Sequence, residues 1–310
     1  MPPEAFGSAA SFAEEDVALE LQSASNWDIA TRYHEFKGRA SLRRHSRQLR
    51  RISADAIIER AQAILGAVVH PTDARLSPWS ELPGDAEQLD LDMDETLENA
   101  PLGLASASGA IAEEVALTAE DLWMSWNSPR RQAVILSVDT SLSMTGEKLA
   151  LTAVALAVVL LQFPDDPIGV VAFENEAKVV KKPEERLTLQ QLIERFLDVP
   201  AQGYTHLEDG LRASLRLSRD TARLPGAKRP PSTVLLTDGK YTAGRDPAYL
   251  APRFHHLVVL KMGRERASLE LCREMARKGR GALQEVGDLE ALPMVMYGVV
   301  KDLLRGRSVG

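Results

Sequence analysis

Gln132-Ala133-Val134-Ile135-Leu136-Ser137-Val138-Asp139-Thr140-Ser141-Leu142-Ser143 is the stretch that decides how this chain folds. Its apolar first half reads as a buried strand, and a helix is expected to begin downstream near Gly146. The C-terminal end of such a strand, just before a helix, is where open α/β sheets place ligands. Asp139, Ser141 and Ser143 put three hard oxygen donors there within five residues. Hard oxygens suit Mg²⁺ or Mn²⁺ rather than zinc or copper. A D-x-S-x-S run by itself occurs by chance in many loops, so its meaning depends on the rest of the chain.

Two later segments supply that context. Gln202-Gly203-Tyr204-Thr205-His206-Leu207 offers a threonine hydroxyl in a turn before an amphipathic helix. Thr233-Val234-Leu235-Leu236-Thr237-Asp238-Gly239 is a second β-branched and apolar run, ending in an aspartate and a glycine. With these residues the chain resembles the von Willebrand factor type A (VWA) domain and its metal-ion-dependent adhesion site. The resemblance implies an α/β, Rossmann-like fold with a central, mostly parallel sheet and helices on both faces. It also implies Asp139, Ser141, Ser143, Thr205 and Asp238 as ligands to one Mg²⁺ or Mn²⁺, and a partner-binding rim of Leu142, Tyr204, His206 and Lys240. There are two departures: Leu142 and Tyr204 stand where many members of the family carry glycine. Neither removes a ligand, but each places a larger side chain beside the metal.

From Arg131 onward, strand and helix patterns alternate, which predicts a parallel or mostly parallel sheet covered on both faces. Strands are expected at Ile168–Phe173, Thr233–Asp238, His256–Met262 and Ala282–Val286, with Ala177–Val180 as a short hairpin partner. Helices are expected at Leu189–Leu197, Leu207–Leu224, Leu269–Lys278 and Leu292–Leu304. Leu149 to Phe163 is the most apolar stretch, but it is shorter than the roughly 20 residues of a membrane span. It reads as a central helix ended by Pro164.

The division expected is a mainly helical region over 1–130 and a VWA domain over 131–310. Within the first region Phe12–Ala24 and Asn26–Phe36 look helical. Ala40–Ile52 places Leu42, Leu49 and Ile52 on one stripe, and Ala54–Leu65 continues as helix with Ser53 as its cap. Lys37 to Arg51 is the most basic stretch, and Arg43, Arg44, Arg47 and Arg50 are candidates for a docking surface. The plainer reading is the solvated face of a packed helix. Pro71–Pro101 reads as irregular and acidic, Gly103–Gly109 as a linker, and Thr118 with Asp121 as the cap of a short helix running to Trp126. Asp90, Asp92 and Asp94 imitate the opening of an EF-hand loop. Glu95 then fills the position that needs glycine, and Pro101 that of the bidentate glutamate, so no calcium site is expected.

Composition narrows the function. The chain has 310 residues, 45% of them apolar and 26% charged, as in a soluble protein able to bury a core. One cysteine, Cys272, cannot form an internal disulfide, and the first residues show neither a basic nor an apolar leader segment, so a cytoplasmic protein is expected. Met1 to Arg130 carries 11 Lys and Arg against 22 Asp and Glu, a net charge of −11. That acidity opposes general nucleic-acid binding. No G-x-x-x-x-G-K-[ST] phosphate loop is present, so the chain is not expected to hydrolyse ATP itself. His206 is the histidine adjacent to the metal loops and reads as a rim residue, so no catalytic residue and no enzymatic activity are expected.

The layout, an acidic N-terminal part followed by Arg130-Arg131-Gln132-Ala133-Val134 leading into the metal loop, resembles the bacterial cytoplasmic VWA proteins that work with MoxR-type AAA+ ATPases, including CoxE-like proteins. That resemblance implies a metal-dependent adaptor or co-chaperone, with the ATPase and a client protein as partners. An RNA-associated VWA protein similar to the Ro type is the alternative, and the basic stretch is its support.

Overall fold

The computed structural model describes residues 23–66, 75–83, 86–99, 118–127, 132–201, 203–224, 229–263, 265–266 and 268–307. The chain divides into two compact units, one made of Met1–Val68 with Arg131–Gly310 and the other of Val69–Arg130. A division still falls between Arg130 and Arg131, but the expected grouping of residues 1–130 as one region changes. The first helices belong with the α/β fold, because their apolar stripe is part of its core.

Two short helices, α1 (Asn26–Thr31) and α2 (Tyr33–Gly38), meet at Arg32, and α1 starts at a capping box. Ser25 Oγ accepts from Asp28 N at 3.1 Å while Ser25 N donates to Asp28 Oδ2 at 3.0 Å, satisfying two of the helix's free donors. Ala40–His45 forms a 3₁₀ segment, and α3 (Ser46–Gly66) runs without interruption. Ser53 is thus no cap but a buried residue in mid-helix. Leu42 and Leu49 are buried and Ile52 is partly so, as their spacing predicts. The expected helix over Phe12–Ala24 and the linker Gly103–Gly109 lie outside the described residues, apart from the last two positions of the former.

The second unit corrects the expectation of an irregular acidic segment. β1 (Arg75–Pro78), β2 (Glu87–Leu91), α4 (Met93–Asn99) and β3 (Trp123–Asn127) are all regular. The strands form an antiparallel sheet in the order β1-β3-β2. Thr118 and Asp121 do make a capping box, but only over the 3₁₀ turn Ala119–Asp121. The next element is strand β3, whose Met124 and Trp126 are buried. The period there is two and not 3.6, and the tryptophans suit a pleated surface better than a short helix.

The remaining elements are β4 (Val134–Asp139), α5 (Glu147–Gln162), β5 (Ile168–Phe173), β6 (Ala177–Lys181), α6 (Leu189–Asp198), α7 (Leu207–Ala222), β7 (Ser232–Thr237), β8 (Leu257–Met262), α8 (Leu269–Lys278), β9 (Leu283–Val286) and α9 (Leu292–Leu304). They build a six-stranded sheet in the order β6-β5-β4-β7-β8-β9, parallel throughout except for β6, which pairs antiparallel with β5. Every residue of β4, β5, β7 and β8 is buried, as expected for central parallel strands covered on both faces. Alternate side chains separate the two sides. Leu136, Val138, Val170 and Val234 join α3, α5, α6 and α9, whereas Ile135, Phe173, Leu235 and Val259 face α7 and α8. Helix α5 is buried along most of its length because α3 and α9 cover the side turned away from the sheet. This is why its sequence is apolar all round rather than on one stripe.

Candidate metal centre

Strand order places the C-terminal ends of β4 and β7 side by side, with Val138 opposite Leu236, so the next residues of each strand meet at one edge of the sheet. Asp139 ends β4 and is fully buried. Its Oδ1 accepts from Ser141 N at 2.9 Å, and its Oδ2 accepts from Thr237 Oγ1 at 2.7 Å, a bond from the last residue of β7. Ser141 caps a one-turn 3₁₀ segment, Leu142–Met144, and Ser143 lies within it, which brings their hydroxyls to 3.3 Å. Gly146 then turns the chain into α5 with φ +75°, a left-handed conformation that suits glycine.

The threonine loop is tied to both neighbours. Gly203 O accepts from Leu142 N at 3.4 Å, and Thr205 N donates to Thr242 Oγ1 at 3.0 Å in the loop after Asp238. From the β5 side, the buried Glu174 accepts from Gly203 N at 2.7 Å through its carboxylate and from His206 N at 2.7 Å through its backbone oxygen. A Cβ on Gly203 would lie 2.2 Å from Asn175 Nδ2, so any larger residue there would have to displace the Asn175 side chain, which accepts from Tyr204 N. The three segments carrying Asp139, Ser141 and Ser143, Thr205, and Asp238 are thus laced together at one sheet edge. Thr205 and Asp238 are buried there, and Ser143 is exposed.

The electrostatics of this edge call for a cation. Burial pushes the Asp139 carboxyl up to about 6, partly offset by its bonds to Ser141 and Thr237, and the charge of Asp238 adds to the rise. Asp238 Oδ1 accepts from Lys240 N at 3.0 Å, but its buried Oδ2 has no hydrogen-bond partner. The nearest cation is Lys240 Nζ at 3.9 Å, which also pairs with Glu265. Buried carboxylate oxygens are normally satisfied, and one left open beside a second buried carboxylate fits a hard divalent ion. Among the described residues no group of three or more His, Cys, Asp and Glu could hold a metal. A site here would therefore draw its remaining oxygens from hydroxyls.

The four rim candidates separate. Leu142 is 62% exposed, Tyr204 is 70% exposed, and Lys240 is exposed but engaged with Glu265. His206 is less open: its Nδ1 lies 3.1 Å from Asn175 O, and its ring packs where a Cβ on Gly244 would come within 2.6 Å. It props the loop rather than presenting itself. Of the four docking arginines, Arg50 reaches across to Glu194 and Asp198 of α6, so it serves the fold. Arg44 and Arg47 are exposed, and the side chain of Arg43 lies outside the described residues. Cys272 is buried beneath Gly239, and burial pushes its thiol up to about 12, which makes it a packing residue.

Supporting residues that sequence reading did not single out are Thr237, Glu174, Thr242 and Ser268, whose Oγ donates to Asp238 O. Thr237 was the most visible of them, standing directly before Asp238.

Residues 134–240 match the family profile described as von Willebrand factor type A domain. The chain contains a VWA domain. Solved structures with similar folds include the conserved hypothetical protein BatB from Bacteroides thetaiotaomicron, 17% identical over 55% of this chain and 98% of that one, with a TM-score of 0.41. Proximal thread matrix protein 1 from the mussel byssus, described with a zinc-occupied MIDAS motif, is 19% identical over 57% of this chain and 48% of its own, with a TM-score of 0.47. A von Willebrand factor type A protein from Catenulispora acidiphila is 20% identical over 59% of this chain and 44% of its own, with a TM-score of 0.45. No curated protein matches the sequence. The VWA domain continues past the matched segment, since β8, α8, β9 and α9 complete the same sheet and core. Among the described residues no helix is long and apolar enough to cross a membrane.

Proposed function

We propose that this chain is a divalent-cation-dependent protein-binding module, with Asp139, Ser141, Ser143, Thr205 and Asp238 holding Mg²⁺ or Mn²⁺ and a partner's carboxylate completing the ion. The observation that carries the reading is the open Oδ2 of buried Asp238 beside the buried Asp139, at an edge lined with hydroxyls. Only two of the five donors are charged and the other three are neutral hydroxyls, so the two carboxylates no more than balance a divalent ion, which stays electrophilic enough to take an anionic ligand. No general base stands in the laced loops, since His206 is held against Asn175, and binding rather than catalysis is the reading supported.

The finer role proposed is that of a cytoplasmic adaptor, coupling a MoxR-type AAA+ ATPase to a client protein. The layout of the sequence supports it, with a helical and acidic segment ahead of the metal loop. An RNA-binding role finds less support. Lys37, Arg39 and Arg50 of the basic stretch are spent on Asp198, Glu35 and Glu194 within the fold. The test is purification of the tagged full-length chain from its own cells in Mg²⁺ and in EDTA. An AAA+ subunit retained only in Mg²⁺, and lost with Asp139→Ala, is expected. A partner set unchanged by EDTA overturns the metal-dependent reading, and co-purified RNA in place of the ATPase overturns the adaptor role.

A further inference from the structure

Lys240, two residues after Asp238, is tied to the candidate metal centre twice. Its backbone N–H donates to Asp238 Oδ1 at 3.0 Å, which fixes the turn, and its side chain folds back so that Nζ lies 3.9 Å from Asp238 Oδ2. That oxygen is the buried one with no hydrogen-bond partner. At this separation the ammonium is too far for a hydrogen bond but close enough for its charge to act on the carboxylate. A second carboxylate draws on it as well: Glu265, in the loop between β8 and α8, pairs with the same Nζ. Asp238 is buried, whereas the Lys240 side chain is 43% exposed and that of Glu265 is 53% exposed. The ammonium thus stands between an inner carboxylate, where a cation is called for, and an outer one in contact with water. Among the described residues it is the one cation paired with Asp238.

We propose that Lys240 is a built-in competitor for the divalent ion: its ammonium acts on the same Asp238 oxygen as the metal, and Glu265 sets the outcome by drawing that ammonium away. The five oxygen donors therefore bind Mg²⁺ or Mn²⁺ more weakly than their number and charge imply, by an amount that the Lys240–Glu265 pair fixes. A positive charge beside a divalent cation opposes its binding, and the opposition is larger where the oxygen between them is buried away from water. Lysine carries its charge on a flexible four-carbon stem, so its head can move towards Glu265 while the backbone bond to Asp238 Oδ1 stays in place. The inference rests on the metal-dependent reading of the same donors.

The test measures Mg²⁺ binding to the full-length chain by titration calorimetry in the wild type, Lys240→Ala, Glu265→Gln and the double variant, with Lys240→Arg as the charge-retaining control. Both side chains are exposed, so the fold should survive each change, and denaturant melts in EDTA check that it does. Lys240→Ala should tighten the Mg²⁺ dissociation constant about three- to ten-fold, as a partly screened single charge acting on a divalent ion predicts. Glu265→Gln should weaken binding, because the ammonium is then left to Asp238 alone, and Lys240→Arg should stay as weak as the wild type. In the double variant the glutamate change should have no further effect, leaving the affinity of Lys240→Ala, since Glu265 acts through an ammonium that is gone. Unchanged affinity in Lys240→Ala overturns the competition and leaves the metal reading standing. So does an equal loss from Glu265→Gln with and without Lys240, which makes Glu265 act on the ion directly. Absence of Mg²⁺ binding in the wild type and every variant, or binding that Asp139→Ala does not alter, overturns the metal reading together with the inference.

Discussion

Asp139→Asn should stabilise the metal-free protein and at the same time abolish its response to Mg²⁺. A carboxyl held near 6 in place of 3.8 destabilises the native state by roughly 3 kcal/mol at neutral pH, because folding must bury the charge. Asparagine removes the charge and keeps an oxygen to accept from Ser141 N. Its amide must then donate where the carboxylate accepted from Thr237, and that hydroxyl already accepts from Gly239 N at 3.0 Å. A hydroxyl can accept twice, so the rearrangement is possible at the loss of one charge-assisted bond, about 1–2 kcal/mol. The net expectation is a gain of about 1–2 kcal/mol in EDTA. In Mg²⁺ at ten times its dissociation constant the wild type gains about 1.4 kcal/mol by mass action, and the variant should gain nothing. Denaturant melts in EDTA and in Mg²⁺ measure both numbers. The pH dependence has a matching sign. A carboxyl raised in the native state gives a metal-free fold that gains stability as pH falls from 7 through about 6 towards 4. Metal affinity should weaken over the same range, because protons compete for the ligands. An asparagine variant that is less stable than wild type in EDTA by more than about 1 kcal/mol would refute the claim that Asp139 is a strained, cation-seeking carboxylate.

Glu208→Gln should loosen the loop after β7, since this carboxylate accepts from Tyr249 Oη, Arg245 N and Arg212. Those bonds hold its pKa down near 2, led by the Tyr249 bond, so their stabilisation is present above about 4.5 and fades as pH falls towards 2; acid melts of the variant should lack that fade. Gly210→Ala should cost about 1–3 kcal/mol in denaturant melts, because its Cβ would sit 2.4 Å from the Phe173 ring. Arg50→Gln should lower stability by up to about 1 kcal/mol through the lost pairs with α6, whereas Arg44→Gln with Arg47→Gln should leave the melt unchanged and weaken any salt-sensitive partner association. A chain starting at Arg131 should aggregate or bind hydrophobic dye, because removing α1 to α3 uncovers the apolar outer faces of α5 and α6; a soluble, cooperative fragment would show that the helices are dispensable.

The sheet was legible because its strands carry redundant signals. Val134–Val138, Ile168–Phe173 and Thr233–Thr237 are continuous apolar runs of strand length, each ended by an acidic residue or a glycine, and parallel central strands need that composition. Asp139, Ser141 and Ser143 could be read together because they are close in sequence and at a strand's end. The small antiparallel sheet was not legible. Arg75–Pro78 and Glu87–Leu91 are short and polar, and their pairing depends on β3, some 30 to 50 residues away in sequence. The supporting shell was hidden for a similar reason. Glu174 matters because its carboxylate meets Gly203 across a long sequence interval, and nothing local marks it.

The N-terminal helices connect these findings. An ordinary amphipathic helix in the position of α5 would expose its polar face to water, but here the sequence from Glu147 to Gln162 has almost no polar face. Its outer side must be covered, and α3 does so; the buried residues of α3 include the small Ser53, Ala54, Ala56 and Ala61. Seating α3 there also fixes α1 and α2, whose Tyr33 and Phe36 enter the same core. The consequence is positional as well as energetic. The helix that α3 covers begins four residues after Ser143, so the elements needed to close the hydrophobic core also put Thr31, His34 and Glu35 beside the metal loop. A requirement of packing thereby sets which side chains border the candidate metal loop.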